Sequence, residues 1–243
     1  MLRDALHALA WRGSVVLRQG WNDLLFAHWP LPPELLRPRV PACLELDAWG
    51  GRAWLGLTPF VLDDLRPSGL PALPVVSRFP ELNLRTYVRY RGRPGIYFFS
   101  LDAGGTLAVA GARLGFHLPY YRARMNARRD GARILYESRR IHPGAPPAVF
   151  RAEYGSSGLE GVFGPGTLEY FLTERYSFFT VGPNERLYRG DIRHRPWRLC
   201  PAWARILENS ITDAAGLDLP PRAPHLLLSP GRLQVEALPL QPA

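Results

Sequence analysis

Pro80-Glu81-Leu82-Asn83-Leu84-Arg85-Thr86-Tyr87-Val88, followed by Pro94-Gly95-Ile96-Tyr97-Phe98-Phe99-Ser100-Leu101-Asp102-Ala103, is the stretch that decides the fold. In its first half Glu81, Asn83, Arg85 and Tyr87 alternate with Leu82, Leu84 and, further on, Val88. Successive side chains of a strand point to opposite faces. One face is therefore apolar, and the other carries an acid, an amide, a guanidinium and a phenol in one row. Such a row is either the solvent face of a one-sided antiparallel sheet or the lining of a polar cavity. Residues 80–90 and 95–101 together read as a hairpin around Arg91-Gly92-Arg93-Pro94-Gly95.

The flanking sequence continues the pattern. Cys43–Ala48 and Arg52–Leu62 are expected to pair around Trp49-Gly50-Gly51, and Pro224–Leu228 and Leu233–Leu238 around Ser229-Pro230-Gly231. Residues 122–128, 132–140, 148–154, 176–181 and 186–194 read as further strands. Helices are few and short: residues 2–10, with Leu2, Leu6 and Leu9 on one stripe; the single turn Pro33–Leu36, stopped by Pro38 and Pro41; residues 105–115; and residues 167–175. Residues 66–80 are proline-rich and Gly155–Gly166 glycine-rich, as loops are. Nothing repeats at a fixed period and no stretch reads as a linker. The expectation is one mainly β domain over residues 1–243 with a few short helices, as a barrel or two packed sheets.

Composition removes several chemistries. The chain has 243 residues and a net charge of +9, and all 30 of its basic residues are arginine. Without lysine there is no P-loop and no lysine imine. The glycines Gly155 to Gly166 lack the strand-and-helix context of a dinucleotide loop. No Gly-x-Ser-x-Gly elbow occurs. Cys43 and Cys200 match no metal or redox spacing and are expected to be reduced, buried apolar residues. The six histidines are scattered, so no metal and no cofactor are expected. His28 beside Trp29 and His194 near Trp197 fit packing against aromatics better than catalysis.

A basic chain attracts nucleic acid. The densest patch is Arg122, Arg124, Arg128, Arg129, Arg133, Arg139 and Arg140, across a hairpin turning at Arg129-Asp130-Gly131. Uniform arginine nevertheless reads as compositional bias, and no nucleic-acid motif accompanies it, so that partner is disfavoured. Arg3, Asp4, His7, Arg12 and Arg18 interrupt residues 1–21, and no run approaches the roughly 20 apolar residues of a membrane span. A cytoplasmic protein with no membrane partner is expected. The sequence does not fix an oligomeric state.

Several segments together resemble the YqjF-like family of uncharacterised bacterial proteins, related in fold to acetoacetate decarboxylase. They are His28-Trp29-Pro30, Ala53-Trp54-Leu55-Gly56-Leu57 with Pro59-Phe60, Glu81–Val88, Pro94–Ala103, Leu118-Pro119-Tyr120, Leu172-Thr173-Glu174-Arg175-Tyr176 and His194-Arg195-Pro196-Trp197. The resemblance implies a decarboxylase-like β fold with an internal cavity. It also implies that Leu118-Pro119-Tyr120-Tyr121 takes the place of the segment that carries the decarboxylase's imine-forming lysine, so that Tyr120 stands at the nucleophile position. A phenol donates a hydrogen bond but forms no imine. Glu81 is implied to match a carboxylate of that pocket.

The candidate site follows. Glu81 and Tyr120 are expected to carry any chemistry, with Arg85 holding an anionic group and Asn83 and Glu174 behind them. The ligand expected is a small acidic or carbonyl-bearing metabolite. Lysine-independent catalysis and ligand binding without turnover both stay open, ahead of an arginine-rich nucleic-acid-binding protein.

Overall fold

The computed structural model describes residues 14–72 and 77–243. The strands are β1 (Leu17–Leu31), β2 (Glu45–Leu46), β3 (Ala53–Pro67), β4 (Phe79–Tyr90), β5 (Arg93–Ala103), β6 (Tyr120–Asp130), β7 (Arg133–Arg140), β8 (Val149–Ser156), β9 (Ser177–Val181), β10 (Leu187–Arg193), β11 (Cys200–Asn209), β12 (His225–Ala237) and β13 (Gln241–Pro242). The helices are α1 (Pro33–Leu36), α2 (Thr106–Phe116), α3 (Leu168–Thr173) and α4 (Ile211–Ala214). The fold is mainly β, as the alternating patterns require.

The strands pair in the order β13-β10-β9-β5-β6-β7-β8-β11-β12-β1-β3-β4-β2, with further pairings of β4 to β5 and of β10 to β12. The ladder therefore closes on itself twice. One ring runs from β5 through β6, β7, β8 and β11 to β12, and the other from β5 through β9 and β10 to β12. Both return through β1, β3 and β4. The five strands β12, β1, β3, β4 and β5 are common to both rings and are covered on both faces.

Each face has its own filling. Leu25, Leu55, Leu57, Leu82, Leu84 and Leu228 meet Tyr136, Phe150 and Tyr154 from β7 and β8 in an apolar core. Leu24, Phe26, Phe60, Leu62, Phe79 and Val235 point the other way. A sheet buried on both faces reads as near-continuous apolar sequence, which residues 24–31 of β1 and 53–62 of β3 show. In β4 the polar row is buried too: Glu81, Asn83 and Arg85 are 3%, 8% and 7% exposed. The row lines an interior, and the solvent-face alternative is excluded.

Two bulges adjust which residues face that interior. One lies on β5, where Leu84 pairs with Ser100 but Arg85 with Phe98, so that Phe98 and Leu101 both reach the cavity. The second lies on β12, where Pro230 and Gly231 stand opposite the single residue Asp23 between the pairs Asn22–Arg232 and Leu24–Ser229. Asp23 has φ 52° there and its carboxylate accepts the Gly231 N–H at 2.9 Å. Strands β5 and β6 are parallel, and parallel neighbours need a crossover. That crossover is α2, laid across the interior.

Several expectations change. The hairpin expected around Ser229-Pro230-Gly231 is one strand, β12, paired along β1 from Leu17–Ala237 to His28–His225. Proline and glycine mark a local break in a ladder, and here the break is a bulge. The turn at Gly50-Gly51 forms, with φ of 59° and 72°, but β2 pairs with β4 rather than with β3. Strands β1 and β11 and helix α4 form where the sequence pattern predicts no element. Cys43 is exposed, contrary to expectation, whereas Cys200 is buried; both are free thiols. The helix expected over residues 2–10 and positions 73–76 of the proline-rich loop lie outside the described residues.

The arginine patch is not one surface. Arg140 turns inward, its side chain 3% exposed, and makes a bidentate pair with fully buried Asp102 at 2.8 and 2.9 Å. Its guanidinium lies 4.1 Å from the Tyr121 ring centroid. Arg129 pairs with Asp23, and Arg133 with Asp130 and Glu153. The Asp102–Arg140 pair ties β5 to β7 across β6. Breaking one partner of such a pair strands a buried charge. Asp102→Asn is expected to destabilise the fold by about 3–5 kcal/mol, read as a lower midpoint in urea unfolding with an unchanged slope.

Candidate functional site

The polar row of β4 opens into a cavity of about 400 Å³ between the shared sheet, β9, β10 and α2. Glu81, Asn83, Arg85 and Tyr120 all line it. The backbone of Glu81 is fixed from behind, where the buried Tyr136 hydroxyl donates to its carbonyl at 2.7 Å. Tyr120 begins β6, directly after the Leu118-Pro119 segment that follows α2. Its hydroxyl donates to Glu81 Oε1 at 3.0 Å, while Glu81 Oε2 has no partner. Burial raises the Glu81 carboxyl from 4.5 to about 7, although hydrogen bonding from Tyr120 and Asn83 acts the other way. Burial and the neighbouring glutamate hold the Tyr120 phenol well above its ordinary range, so it stays a donor.

Glu81 and Arg85 form no ion pair with one another. Arg85 has no carboxylate partner among the described residues, and its Nε and Nη2 are buried without acceptors. Its guanidinium lies 5.3 Å from the Phe26 ring centroid and 5.9 Å from that of Tyr87. Gly56 makes the space: a Cβ there would stand 3.0 Å from the His28 ring and 3.4 Å from Arg85 Cγ. Tyr87 lies behind the cavity wall rather than in it. Its hydroxyl donates to the Leu172 carbonyl at 2.7 Å, so the His28 Nε2 only 2.6 Å away carries the proton between them. Burial, with Arg85 nearby, lowers the His28 pKa well below the ordinary range. His28 thus holds a local hydrogen bond beside aromatics, as expected.

Glu174 is not part of the lining. It is the C-cap of α3, and its carboxylate accepts the Trp197 N–H at 3.0 Å and the Tyr176 hydroxyl. Its neighbours Thr173 and Arg175 face the cavity instead. Arg175 is paired, with Asp47 Oδ2 at 2.6 Å and the Phe171 carbonyl at 2.7 Å. The segment Leu172–Tyr176 signalled the site, but where α3 ends decided which of its residues reached it. His194 also lines the cavity, between Tyr176 and Trp197, with ring centroids at 4.7 and 4.9 Å. Its Nδ1 donates to the Arg195 carbonyl at 2.7 Å, its Nε2 is free, and burial brings its pKa down to about 4. Among the described residues no group of three or more His, Cys, Asp or Glu side chains is placed to hold a metal ion.

A family model, DUF2071, described as an uncharacterized conserved protein, matches residues 18–232. The chain belongs to this family. A relative from Bacillus subtilis (strain 168), the uncharacterized protein YqjF, is 49% identical over 214 residues, covering 88% of this chain and 87% of the relative. Among solved structures, acetoacetate decarboxylase from Legionella pneumophila superposes with a TM-score of 0.64 at 14% identity, over 93% of this chain and 86% of the other. The enduracididine biosynthesis enzyme MppR, complexed with pyruvate, superposes with a TM-score of 0.61 at 13% identity, over 96% and 91%. This DUF2071 chain therefore has the acetoacetate decarboxylase-like fold, as the segment resemblance implied. Among its described residues no helix is long and apolar enough to cross a membrane.

The raised carboxyl of Glu81 has a consequence for stability. A group with a higher pKa folded than unfolded favours folding fully below its unfolded pKa, and that contribution is lost as pH rises through the folded value. For Glu81 the window runs from 4.5 to about 7. Relative to Glu81→Gln, the wild-type chain is expected to lose about 3 kcal/mol of unfolding free energy across that window and to be level above it. Urea denaturation of both proteins at a series of pH values measures the difference.

Proposed function

We propose that this protein binds an organic acid in the internal cavity, with the carboxylate on Arg85 and a carbonyl or adjacent carbon near Glu81. One observation carries the reading: Arg85 is a buried cation that lines the cavity with no acid beside it, and two of its guanidinium nitrogens have no acceptor. An uncompensated buried charge is costly, and a carboxylate in the cavity removes that cost while accepting the fork of donors. That MppR is solved with pyruvate bound supports an acid or carbonyl ligand in this fold.

Glu81 supplies the second half. A carboxyl near neutrality gives or takes a proton at physiological pH, and Tyr120 holds its Oε1 while Oε2 is left without a partner. The Tyr120 hydroxyl, expected to share the chemistry with Glu81, is a positioning group for it in this arrangement. The chemistry proposed is proton transfer next to a carbonyl, with Arg85 and Asn83 fixing the ligand. No lysine exists to form an imine. The chain is proposed to act as one domain built around this site. The same geometry without turnover is a binding protein, and proton exchange separates the two.

Calorimetry with a panel of carboxylates and their neutral amides tests the binding. Every acid that binds is expected to weaken at least tenfold in Arg85→Gln, the loss of a charged hydrogen bond, and the amides are expected not to bind. Affinities that Arg85→Gln leaves unchanged would refute the assignment. Borohydride with acetoacetate or pyruvate is expected to trap no adduct on a cavity residue. For a bound acid that carries a carbonyl further along its chain, NMR should show exchange with D₂O of the protons next to that carbonyl, which Glu81→Gln abolishes; no exchange by the wild-type chain identifies a binding protein.

A further inference from the structure

Resting on the carboxylate reading above, we infer that the ligand is a monocarboxylate with a long apolar tail, of the size of octanoate, rather than a polar acid of the size of pyruvate. The first observation is where the polar groups stand. Asn83, Arg85, Glu81 and Tyr120 come from β4 and the start of β6, on one side of the cavity. The remaining wall is predominantly apolar and aromatic, including Trp21, Phe60, Phe79, Phe98, Phe178 and Trp197. His194 and the Asp47-bound Arg175 are the other ionisable side chains of the lining.

The second observation is depth. Arg85 lies at the inner end, beside His28 and Tyr87, both of which are fully buried. Half-buried Val16, Leu17 and Gln19 and exposed Gly111 also line the cavity and mark its mouth. Strand register orders what lies between. Arg85 is level with Gly56 and His28, and Glu81 with Phe60, while Leu17 pairs with Pro67 at the far end. Arg85 and Glu81 are four residues apart on one strand, ~13 Å between their Cα atoms at ~3.3 Å per residue. An acid seated head-first on Arg85 points its other end past Glu81 toward Phe79, Leu62 and the mouth.

The third observation is volume. A cavity of about 400 Å³ falls within the range of sites for ligands much larger than pyruvate. A small polar acid would leave most of it as water against an apolar wall, which has few partners for water. An alkyl chain removes that wall from water, and this contribution grows with each methylene. The three observations agree on a carboxylate head, a chain reaching past Glu81, and no second charge.

Calorimetry with acetate, butanoate, hexanoate, octanoate and pyruvate on the full chain decides it. Affinity is expected to tighten by about fourfold per added methylene from butanoate to octanoate, and pyruvate is expected to bind more weakly than octanoate. Arg85→Gln should weaken octanoate at least tenfold. Ala112→Phe, which fills the cavity from α2 without touching the head group, should abolish the gain between butanoate and octanoate but keep butanoate binding. Pyruvate binding tighter than octanoate, with both dependent on Arg85, would overturn this inference and leave the carboxylate reading standing. Octanoate binding that ignores Arg85→Gln, or no binding by any acid, would overturn both. If Ala112→Phe does not fold, the rank order of the acids on the wild-type chain is sufficient to decide.

Discussion

Strands β12, β1, β3, β4 and β5 lie between two layers, so most side chains in their central stretches, on either face, are removed from water. One face meets β7 and β8 through Leu82, Leu84, Tyr136 and Phe150. The other meets β9, β10 and α2, but incompletely, and the space left over is the cavity. A polar side chain on such a sheet has no solvent face to occupy. Glu81, Asn83 and Arg85 are therefore driven into the cavity by the same alternation that places Leu82 and Leu84 in the core. The shifted carboxyl of Glu81, the fixed phenol of Tyr120 and the unpaired guanidinium of Arg85 all follow from that burial.

The protein maintains this arrangement with groups that never touch the cavity. Tyr136 reaches through the core to the Glu81 carbonyl, and Gly56 keeps a Cβ out of the space that His28 and Arg85 share. Asp102 and Arg140 neutralise one another in the layer behind, so the buried cation there is fully compensated. Arg175 is compensated by Asp47. Against these two satisfied pairs, Arg85 stands out as the guanidinium left without its acid. Among the described residues the other buried guanidinium groups are paired, and the exception lies where a ligand can complete it.

The fold is shared with acetoacetate decarboxylase and MppR at identities of 14% and 13%, and such a likeness carries architecture rather than chemistry. The lysine-free sequence excludes a lysine imine in this chain. What the architecture contributes is a closed double ring of strands with a largely buried interior. A carboxyl in that interior titrates near neutrality without any metal or neighbouring charge to shift it, because desolvation alone is sufficient.

The sequence by itself determined the strands of the central stretch, the helix over Thr106–Phe116, the hairpins at Arg91-Gly92 and Gly131, and the two-faced character of Glu81–Val88. Those are local properties: side-chain alternation, turn glycines and apolar spacing are written in consecutive residues. It placed Glu81, Asn83, Arg85 and Tyr120 together, three of them by alternation and the fourth through a family resemblance. Only the tertiary structure decided that the polar face is enclosed, because β9, β10 and α2 cover it from elsewhere in the chain. It also decided that Ser229-Pro230-Gly231 is a bulge against Asp23, that Glu174 caps a helix while Arg175 faces inward, and that Glu81 and Arg85 stay apart. Each depends on partners distant in sequence. Local pattern sets the direction of a side chain, but what it meets there depends on which strands close the ring.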